Sequence, residues 1–353
     1  MKKWIALLLL LVLLTGCAAP APEAPEATPP SSSTVPSTGP SATEPSVTEP
    51  PATQPPITEP PATQPPATQP PATKPPATQP PATKPPVVEP PFRGSFSVHF
   101  IDVGQADCAL LECNGEYALI DGGNTDDTEL VKDYLEEQGV DELSLVVGTH
   151  HHEDHIGGLP GVLNTYPTDT VWSTPATFYN GYVNAFLLSA QNQSQLVYPT
   201  PGTTYTLGGA TLTLLGPVRS GYDDVNDDSL VIMAQYGTTR FLFTGDMEQI
   251  AETDLLDSGA DLKADVLKVG HHGSYSSTSY RFLREVAPTY AVISAGSGNE
   301  YGHPHDSTLS KLKNADVIIY RTDQMCSIVA TSDGTDIKFS WENIYAKPWK
   351  PAA

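Results

Sequence analysis

The stretch THHHEDHIGG at residues 149–158 decides both the fold and the chemistry expected of this chain. It places four of the nine histidines within six positions, beside a glutamate and an aspartate. Imidazole and carboxylate groups are ligands for a borderline divalent cation such as zinc. Alternate residues of a loop can converge on one ion, so His150 and His152 suit one metal while Asp154 and His155 suit a neighbouring one. The stretch therefore predicts a metal site.

The residues on both sides of this stretch predict two strand-rich halves. ELSLVV at 142–147 is a nearly continuous apolar strand that ends at the histidines, and alternating residues within 95–123 predict an antiparallel meander. Residues 126–138 predict a helix with Leu130, Val131, Tyr134 and Leu135 on one face. Hairpins turning at 208–209 and 237, then alternating helices and strands, follow the histidines. This order predicts two sheets packed face to face, with helices outside.

The first sixteen residues have the form of an export signal. Two lysines precede an apolar run from Trp4 to Leu14, and small residues follow. About eleven apolar residues are too few to span a bilayer as a mature helix, so we expect the segment 1–16 to be removed. The LTGC ending at 14–17 resembles the lipobox of bacterial lipoproteins, which implies a lipid on Cys17 and a place on the outer side of a bacterial membrane. A plain secretory signal is the alternative.

Residues 17–92 predict a linker without a core. They consist almost wholly of Pro, Ala, Thr, Ser, Gln and Glu, and they include repeats of the form PPATQ and PPATK. Proline cannot donate to a strand ladder, and this composition has little to bury, so we expect a disordered, polyproline II-like spacer. At about 3.1 Å per residue, roughly seventy residues could reach on the order of 200 Å from the membrane. A ligand for proline-binding modules is the alternative.

Residues 93–353 have the composition of one globular domain with a strongly acidic surface. The formal charge of the chain is −23, and because residues 1–92 carry four lysines against six glutamates, about −21 belongs to this domain. Such a charge disfavours nucleic acid as a partner except where bound metal reverses it locally. Cys108, Cys113 and Cys326 lack a metal-binding spacing and predict buried thiols rather than a disulfide framework.

Six ordered motifs extend the pattern along the domain. THHHEDHIGG matches the HxHxDH signature of the metallo-β-lactamase superfamily. The motifs FIDVGQAD, LIDGG, NDDSLV, FTGDM, VGHHGS and YGHPH together resemble the hydrolase domain of ComEC-type competence proteins and their stand-alone lipoprotein relatives. The resemblance implies an α/β fold, an αββα four-layer sandwich, with two divalent metal ions at one edge. Zinc is the usual metal, and manganese is the alternative.

The resemblance also implies a ligand for each ion. His150 and His152 would hold the first metal, Asp154 and His155 the second, and Asp246 of FTGDM would bridge both. Asp154 would in addition orient the attacking water.

The motif GHHGS at 270–274 supplies one more ligand. We favour His272 as the ligand of the second metal, with His271 near the substrate, although the sequence leaves the order of the two open. The superfamily at large has a further histidine between the two halves, and Asn226 occupies that place here. An amide is a weaker zinc ligand than imidazole, so we expect a less tightly held first metal.

Three aspartates beside glycine-containing turns are candidates for a supporting role. A carboxylate that accepts the free N–H of a liganding histidine fixes its tautomer and direction. Asp102, Asp107 and Asp121 could act in this way, and the alternative for each is a turn-forming role. We favour the supporting role for Asp121 and leave both readings open for the other two.

The function that these residues imply is hydrolysis by a metal-bound hydroxide. His271 or His303 would assist the leaving group, and His303 could alternatively donate a hydrogen bond to a developing oxyanion or belong to a structural His-Pro turn. Phosphodiesters are the favoured substrates of a monomeric enzyme. The alternatives are an acyl hydrolase of β-lactams or lactones, and a non-catalytic metal-binding component of a DNA-uptake system.

Overall fold

The computed structural model describes residues 94–343 and 345–351. The predicted export signal at 1–16, the lipid anchor at Cys17 and the linker at 17–92 lie outside the described residues and stay predictions. Across the part that is described, every helix is too short or too polar to traverse a bilayer.

Two mixed sheets form the centre of the described region. The eight-stranded sheet has the order β15-β14-β1-β2-β3-β4-β5-β6, and the seven-stranded sheet has the order β13-β12-β11-β10-β9-β8-β7. The strands of the first sheet are β1 Phe96–Phe100, β2 Ala109–Cys113, β3 Glu116–Ile120, β4 Leu143–Val147, β5 Thr168–Trp172, β6 Gln195–Val197, β14 Ile328–Ser332 and β15 Ile337–Trp341. Those of the second are β7 Thr204–Leu207, β8 Ala210–Gly216, β9 Val231–Tyr236, β10 Thr239–Phe243, β11 Val266–Lys268, β12 Tyr290–Ile293 and β13 Ile318–Arg321.

Helices cover the outer face of each sheet. They are α1 Thr128–Glu137, α2 Glu153–Ile156, α3 Leu159–Thr165, α4 Gly181–Gln193, α5 Gln249–Asp257, α6 Tyr280–Val286, α7 Asp306–Asn314 and α8 Thr322–Met325. Buried apolar side chains form a cluster between the sheets, a second under α1, α3 and α4, and a third under α5, α6 and α7. Three apolar layers of this kind define a four-layer αββα sandwich, so the predicted fold is confirmed.

The predicted elements are confirmed with several differences. A short 3-10 turn, Thr125–Asp127, precedes α1, and within α1 Val131 and Leu135 are buried whereas Leu130 is 44% exposed. Leu130 was therefore wrongly placed on the buried face. The region that holds α3, β5, α4 and β6 was not predicted, because its apolar residues are interrupted by polar ones and show no sustained period.

Strand direction brings the polar loops together. β3, β4 and β5 are parallel in the first sheet, and β10, β11 and β12 are parallel in the second. The carboxyl ends of parallel strands open on one edge of a sheet. The loops after β3, β4, β10 and β11 carry Asp121, the 149–155 run, Asp246 and the histidines of GHHGS. These ionisable residues therefore lie at one edge of the sandwich.

The C-terminal segment covers the outer strand of the second sheet. The backbone N–H of Trp349 donates to the carbonyl of Ile319 in β13, and the N–H of Ile319 donates to the carbonyl of Trp349. The Trp349 ring packs against the cluster under α7, and Lys313 lies over it. An outer strand with its hydrogen-bonding groups taken in this way is protected from pairing with another chain.

His99 on β1 is buried and titrates far from its usual range. Its Nδ1 lies 3.0 Å from the hydroxyl of Tyr134, and burial lowers its pKa to about 4. We expect the unfolded chain to bind a proton at His99 near pH 6.5 while the folded chain does not until about pH 4, so stability falls as pH drops through this window. His99→Gln should remove that loss, worth about 3 kcal/mol at most.

Urea unfolding of wild type and His99→Gln from about pH 7 down to about pH 4 measures this difference. Tyr134→Phe is the control, because it removes the hydrogen bond but leaves the imidazole to titrate. Equal slopes of unfolding free energy against pH in wild type and His99→Gln would contradict the prediction.

Candidate metal centre

The four residues predicted for the second metal lie together. One ligand atom from each of Asp154, His155, Asp246 and His272 falls within 4.8 Å of all the others. His272 Nε2 is 3.1 Å from Asp154 Oδ2 and 3.5 Å from Asp246 Oδ2. These groups come from loops in both halves of the sandwich, so only the folded chain assembles them.

Asp246 lies at the centre of the cluster. His155 Nε2 is 3.2 Å from its Oδ1, and His271 Nε2 is 3.7 Å from its Oδ2, so its two oxygens face different histidines. The Ser229 hydroxyl accepts from the Asp246 backbone N–H at 3.0 Å. Gly245, at φ +50°, permits this approach, because a Cβ there would lie 2.9 Å from the Ser229 Oγ.

The predicted ligands of the first metal are adjacent. His150 Nε2 and His152 Nδ1 are 3.0 Å apart, and the rings of His150 and His155 are 4.1 Å apart between centroids. Asn226 is buried, and its Nδ2 donates to Glu248 at 3.5 Å. The two predicted ligand groups therefore lie side by side.

Orphaned polar atoms provide a test of whether metal fits this site. His155 Nε2, Asp246 Oδ1 and Asn226 Oδ1 are buried, and none has a hydrogen-bond partner within the described residues. Buried polar atoms are almost always satisfied, and leaving one unpaired costs about 1–3 kcal/mol. Imidazole nitrogens and carboxylate or amide oxygens that converge in this way are the donor set that divalent cations take. The residues present thus fit a metal.

Asp121 contacts His155, one of the predicted metal ligands. Its Oδ2 lies 2.8 Å from His155 Nδ1 and accepts from the Thr149 hydroxyl, and its Oδ1 accepts from the Thr149 backbone N–H. Asp121 adopts a left-handed conformation at φ +60°, which is unfavourable for a residue other than glycine. These bonds leave His155 Nε2 as the nitrogen that faces Asp246.

Asp107 contacts His272 at Nδ1, the ring nitrogen on the side away from Asp154 and Asp246. Its Oδ1 lies 3.3 Å from His272 Nδ1, and its Oδ2 pairs with the buried Lys268 ammonium at 2.7 Å. Burial opposes ionisation of Asp107, yet Lys268 and His272 together lower its pKa to about 2. Of the two readings left open for Asp107, the geometry favours the supporting one. Lys268 was not singled out from the sequence, because a lone lysine in an apolar strand does not reveal a partner 161 positions earlier.

Asp102 does not reach the centre. Its carboxylate accepts from the Gly104 backbone N–H in its own turn and lines a separate surface pocket with Cys326 and Glu342. Of the two readings left open for Asp102, the geometry therefore favours the turn-forming one over a supporting role beside a metal ligand.

His271 lies at the open side of the cluster and differs from His272. Its ring is 24% exposed, whereas that of His272 is 2% exposed, and both residues have a left-handed backbone. His271 Nδ1 lies 2.9 Å from a Glu248 carboxylate that also accepts from the Ser276 hydroxyl. The geometry thus favours His272 as the ligand and His271 as the residue near the substrate. Glu248 was missed because a glutamate two positions after Asp246 has no distinctive spacing.

His303 lines the mouth of the centre. The pocket there has a volume of about 290 Å³ and is bordered by Gln105, His152, Glu153, Asp154, Asp246, His271, His272, Tyr301 and His303. Burial and the neighbouring His272 and His271 lower the pKa of His303 to about 4. His305 in contrast accepts from the Tyr275 backbone N–H outside this pocket. Among these bordering residues, all of them described, there is neither lysine nor arginine.

The cluster holds opposite charges in close contact. Burial opposes charge on every member, but Asp246 raises the pKa of His155 well above its usual value and raises that of His272 to about 10. His155 and His272 in turn keep the pKa of Asp246 well below its usual range. Without a cation, the two histidines therefore carry the protons that balance the carboxylates.

The comparisons with known proteins agree with this geometry. The Metallo-beta-lactamase superfamily matches residues 101–297, more than half of the chain. ComE operon protein 3 of Bacillus subtilis is 31% identical over 193 residues, which are 54% of this chain and 25% of that protein. Recombination protein 2 of Haemophilus influenzae is 30% identical over 224 residues, 62% of this chain and 26% of that one. The chain thus spans about a quarter of the length of these relatives.

Solved structures with a similar fold include the metallo-beta-lactamase fold protein YhfI from Bacillus subtilis. It has a TM-score of 0.47 and 13% identity, and the match covers 67% of this chain and 100% of that one. Tm1679, a metal-dependent hydrolase of the beta-lactamase superfamily, has a TM-score of 0.45 and 17% identity over 64% of this chain and 95% of that one.

Asp121→Asn should weaken metal binding without removing a ligand. The amide cannot provide two acceptors, so His155 loses its orienting charge, and we expect metal affinity to fall about 10- to 100-fold. Asp102→Asn is the matched control, because that carboxylate lies outside the centre. Competition with a chromogenic chelator measures both affinities, and equal affinity in wild type and Asp121→Asn would refute the assignment.

Zinc binding should release protons and tighten as pH rises. His272 must lose a proton that its raised pKa holds through neutral pH, so apparent affinity should increase up to about tenfold per pH unit for each proton released. Calorimetry in two buffers of different ionisation enthalpy counts these protons. His272→Ala should release fewer, and an affinity that stays flat from about pH 6.5 to about 8.5 would contradict the prediction.

Proposed function

We propose that this chain, because it belongs to the metallo-beta-lactamase superfamily, is a metal-dependent hydrolase whose substrates are phosphodiesters. The observation that supports it is the pair of ligand groups, His150 with His152 and Asp154 with His155 and His272, grouped about Asp246. Two bound divalent ions supply a water of lowered pKa and polarise the oxygens of an ester, an arrangement suited to displacement at phosphorus. Zinc is the proposed metal, and manganese is the alternative.

Three residues of the chain would have separate roles in the hydrolysis. Asp154, whose carboxylate is 30% exposed and touches His272, is placed to bind metal and to orient the attacking water. Burial lowers the pKa of His271, but the hydrogen bond to Glu248 and the nearby Asp246 carboxylate together outweigh it and raise that pKa, so His271 can carry a proton for the leaving group. His303, with its lowered pKa, suits donation of a hydrogen bond better than transfer of a proton.

The charge of the pocket supports small substrates over polymers. The residues that line it include Glu153 and no basic side chain, and Lys268 below it is engaged with Asp107. A phosphate would therefore be attracted by the metals alone, and flanking phosphates would meet a domain of about −21 charge. Two kinds of substrate fit this condition better than duplex DNA. They are short or single-stranded ends of nucleic acid, and phosphorylated wall or lipid head groups.

The names of the relatives favour a second candidate, a metal-binding component of DNA uptake without catalysis. A competence protein, ComA of Neisseria gonorrhoeae, is 30% identical over 63% of this chain and 30% of its own length. Metal-loaded protein that turns over none of the substrates below would favour this role. The lipobox-like LTGC and the repeats before residue 93 support a further proposal, that the domain stands at the cell surface on a lipid anchor at Cys17.

The purified full chain should hydrolyse bis-p-nitrophenyl phosphate with zinc or manganese, and chelation should abolish this turnover. His152→Ala and Asp246→Ala should each lower kcat/KM at least about 100-fold, because each removes a proposed metal ligand. His99→Gln is the control for loss of a buried histidine elsewhere.

A panel with a phosphorylcholine ester, single-stranded DNA, nitrocefin and a homoserine lactone assigns the substrate class. Turnover of nitrocefin or the lactone without turnover of any phosphodiester would replace the proposal with an acyl hydrolase.

A further inference from the structure

Gln105 connects two loops at the mouth of the candidate metal centre. It lies in the turn between β1 and β2 and borders the same pocket as His303. Its Oε1 lies 3.1 Å from the backbone N of Gly296, and its Nε2 lies 3.2 Å from Nδ1 of His303. Neither residue of this pair is a proposed metal ligand, so the contact between them calls for an explanation.

The backbone of Gly296 fixes the orientation of the Gln105 amide. A backbone N–H can only donate, so the atom that meets it must be the carbonyl oxygen Oε1. The other end of the amide is then the NH2 group, which can only donate. Nδ1 of His303 must therefore accept, and a neutral imidazole that accepts at Nδ1 carries its proton at Nε2.

The loop that carries His303 is fixed independently. Asn299 Oδ1 accepts from the His303 backbone N–H at 3.0 Å, and Asn299 Nδ2 donates to the carbonyls of Gly296 and His303 at 2.8 and 2.6 Å. The ring of Tyr301 stacks on that of His303 at 5.7 Å. Gly296 packs so tightly that a Cβ would lie 2.8 Å from the backbone N of Gln105. The two loops thus pack directly against each other.

We propose that Gln105 is a positioning residue that holds His303 as the neutral tautomer with its proton at Nε2, which makes His303 a hydrogen-bond donor to a substrate oxygen. The inference rests on the proposed function and deepens it, because it assigns His303 one of the three roles that the sequence left open. A donor held in advance stabilises charge that develops on a substrate oxygen without reorganising during the reaction. Transfer of a proton to the leaving group would then fall to His271.

The tautomer can be observed directly. Histidine side-chain 15N spectra of the zinc-loaded full chain distinguish a protonated from an unprotonated Nδ1, and the His303 signals are those that vanish in His303→Gln. The expected spectrum shows His303 protonated at Nε2 alone. Protonation at Nδ1 alone, or at both nitrogens at neutral pH, would overturn the proposal, and this readout needs neither activity nor a change at Gln105.

Gln105→Glu tests the role of the amide. A carboxylate can accept from the Gly296 N–H but cannot donate to His303, so Nδ1 must become protonated. We expect the 15N signature to change accordingly and kcat for bis-p-nitrophenyl phosphate to fall about 10- to 100-fold, with metal content unchanged. Gln235→Glu, an exposed substitution of equal charge on β9, is the control.

The possible outcomes distinguish failure of this inference from failure of the proposed function. Wild-type protein that hydrolyses no ester would defeat the proposed function, while the wild-type spectrum would still decide the tautomer. Active wild type with a Gln105→Glu variant of equal kcat and unchanged spectrum would defeat the inference alone.

Discussion

The buried carboxylate of Asp246, enclosed by histidines from both halves of the chain, is the constraint on which the rest of the structure depends. An isolated charge removed from water is strongly unfavourable, so such a group persists only where opposite charges or a cation surround it. Asp246, Asp121 and Asp107 each meet this condition through His155, His272 or Lys268. Since the partners come from loops after strands of both sheets, the charges can be satisfied only when the sandwich is closed. Folding and assembly of the centre are therefore one event.

The sequence predicted the centre well where chemistry and spacing coincide. The run at 149–158 and FTGDM contain residue types that rarely cluster for packing reasons. Their match to the motifs of the superfamily also predicted the fold. Local sequence could not separate Asp102 from Asp107, because both lie near glycine and only the closed sandwich shows which of them faces a histidine. Glu248 and Lys268 were missed for the same reason, since their partners His271 and Asp107 are distant along the chain.

Hydrophobic periodicity was less informative about the helices and strands than ligand spacing was about the candidate site. Leu130 continues the apolar pattern of α1 yet is exposed, because the helix contacts its sheet through a narrower face than the pattern suggests. The region that contains α3 to β6 has no strong period, and tertiary packing of Val162, Phe186 and Val171 fixes it instead. The αββα architecture thus followed from the motifs, whereas the bounds of its less regular elements required coordinates.

The reciprocal backbone pairing of Trp349 with Ile319 has a consequence for how copies of this chain can meet. Copies of a chain at high local concentration can join sheet to sheet, and β13 would otherwise present open donors and acceptors at this edge. To add a strand to β13 at this position, a second molecule would first have to displace the Trp349 indole and the Lys313 side chain above it. The backbone groups of Ile319 are therefore already paired within the chain on this flank of the molecule.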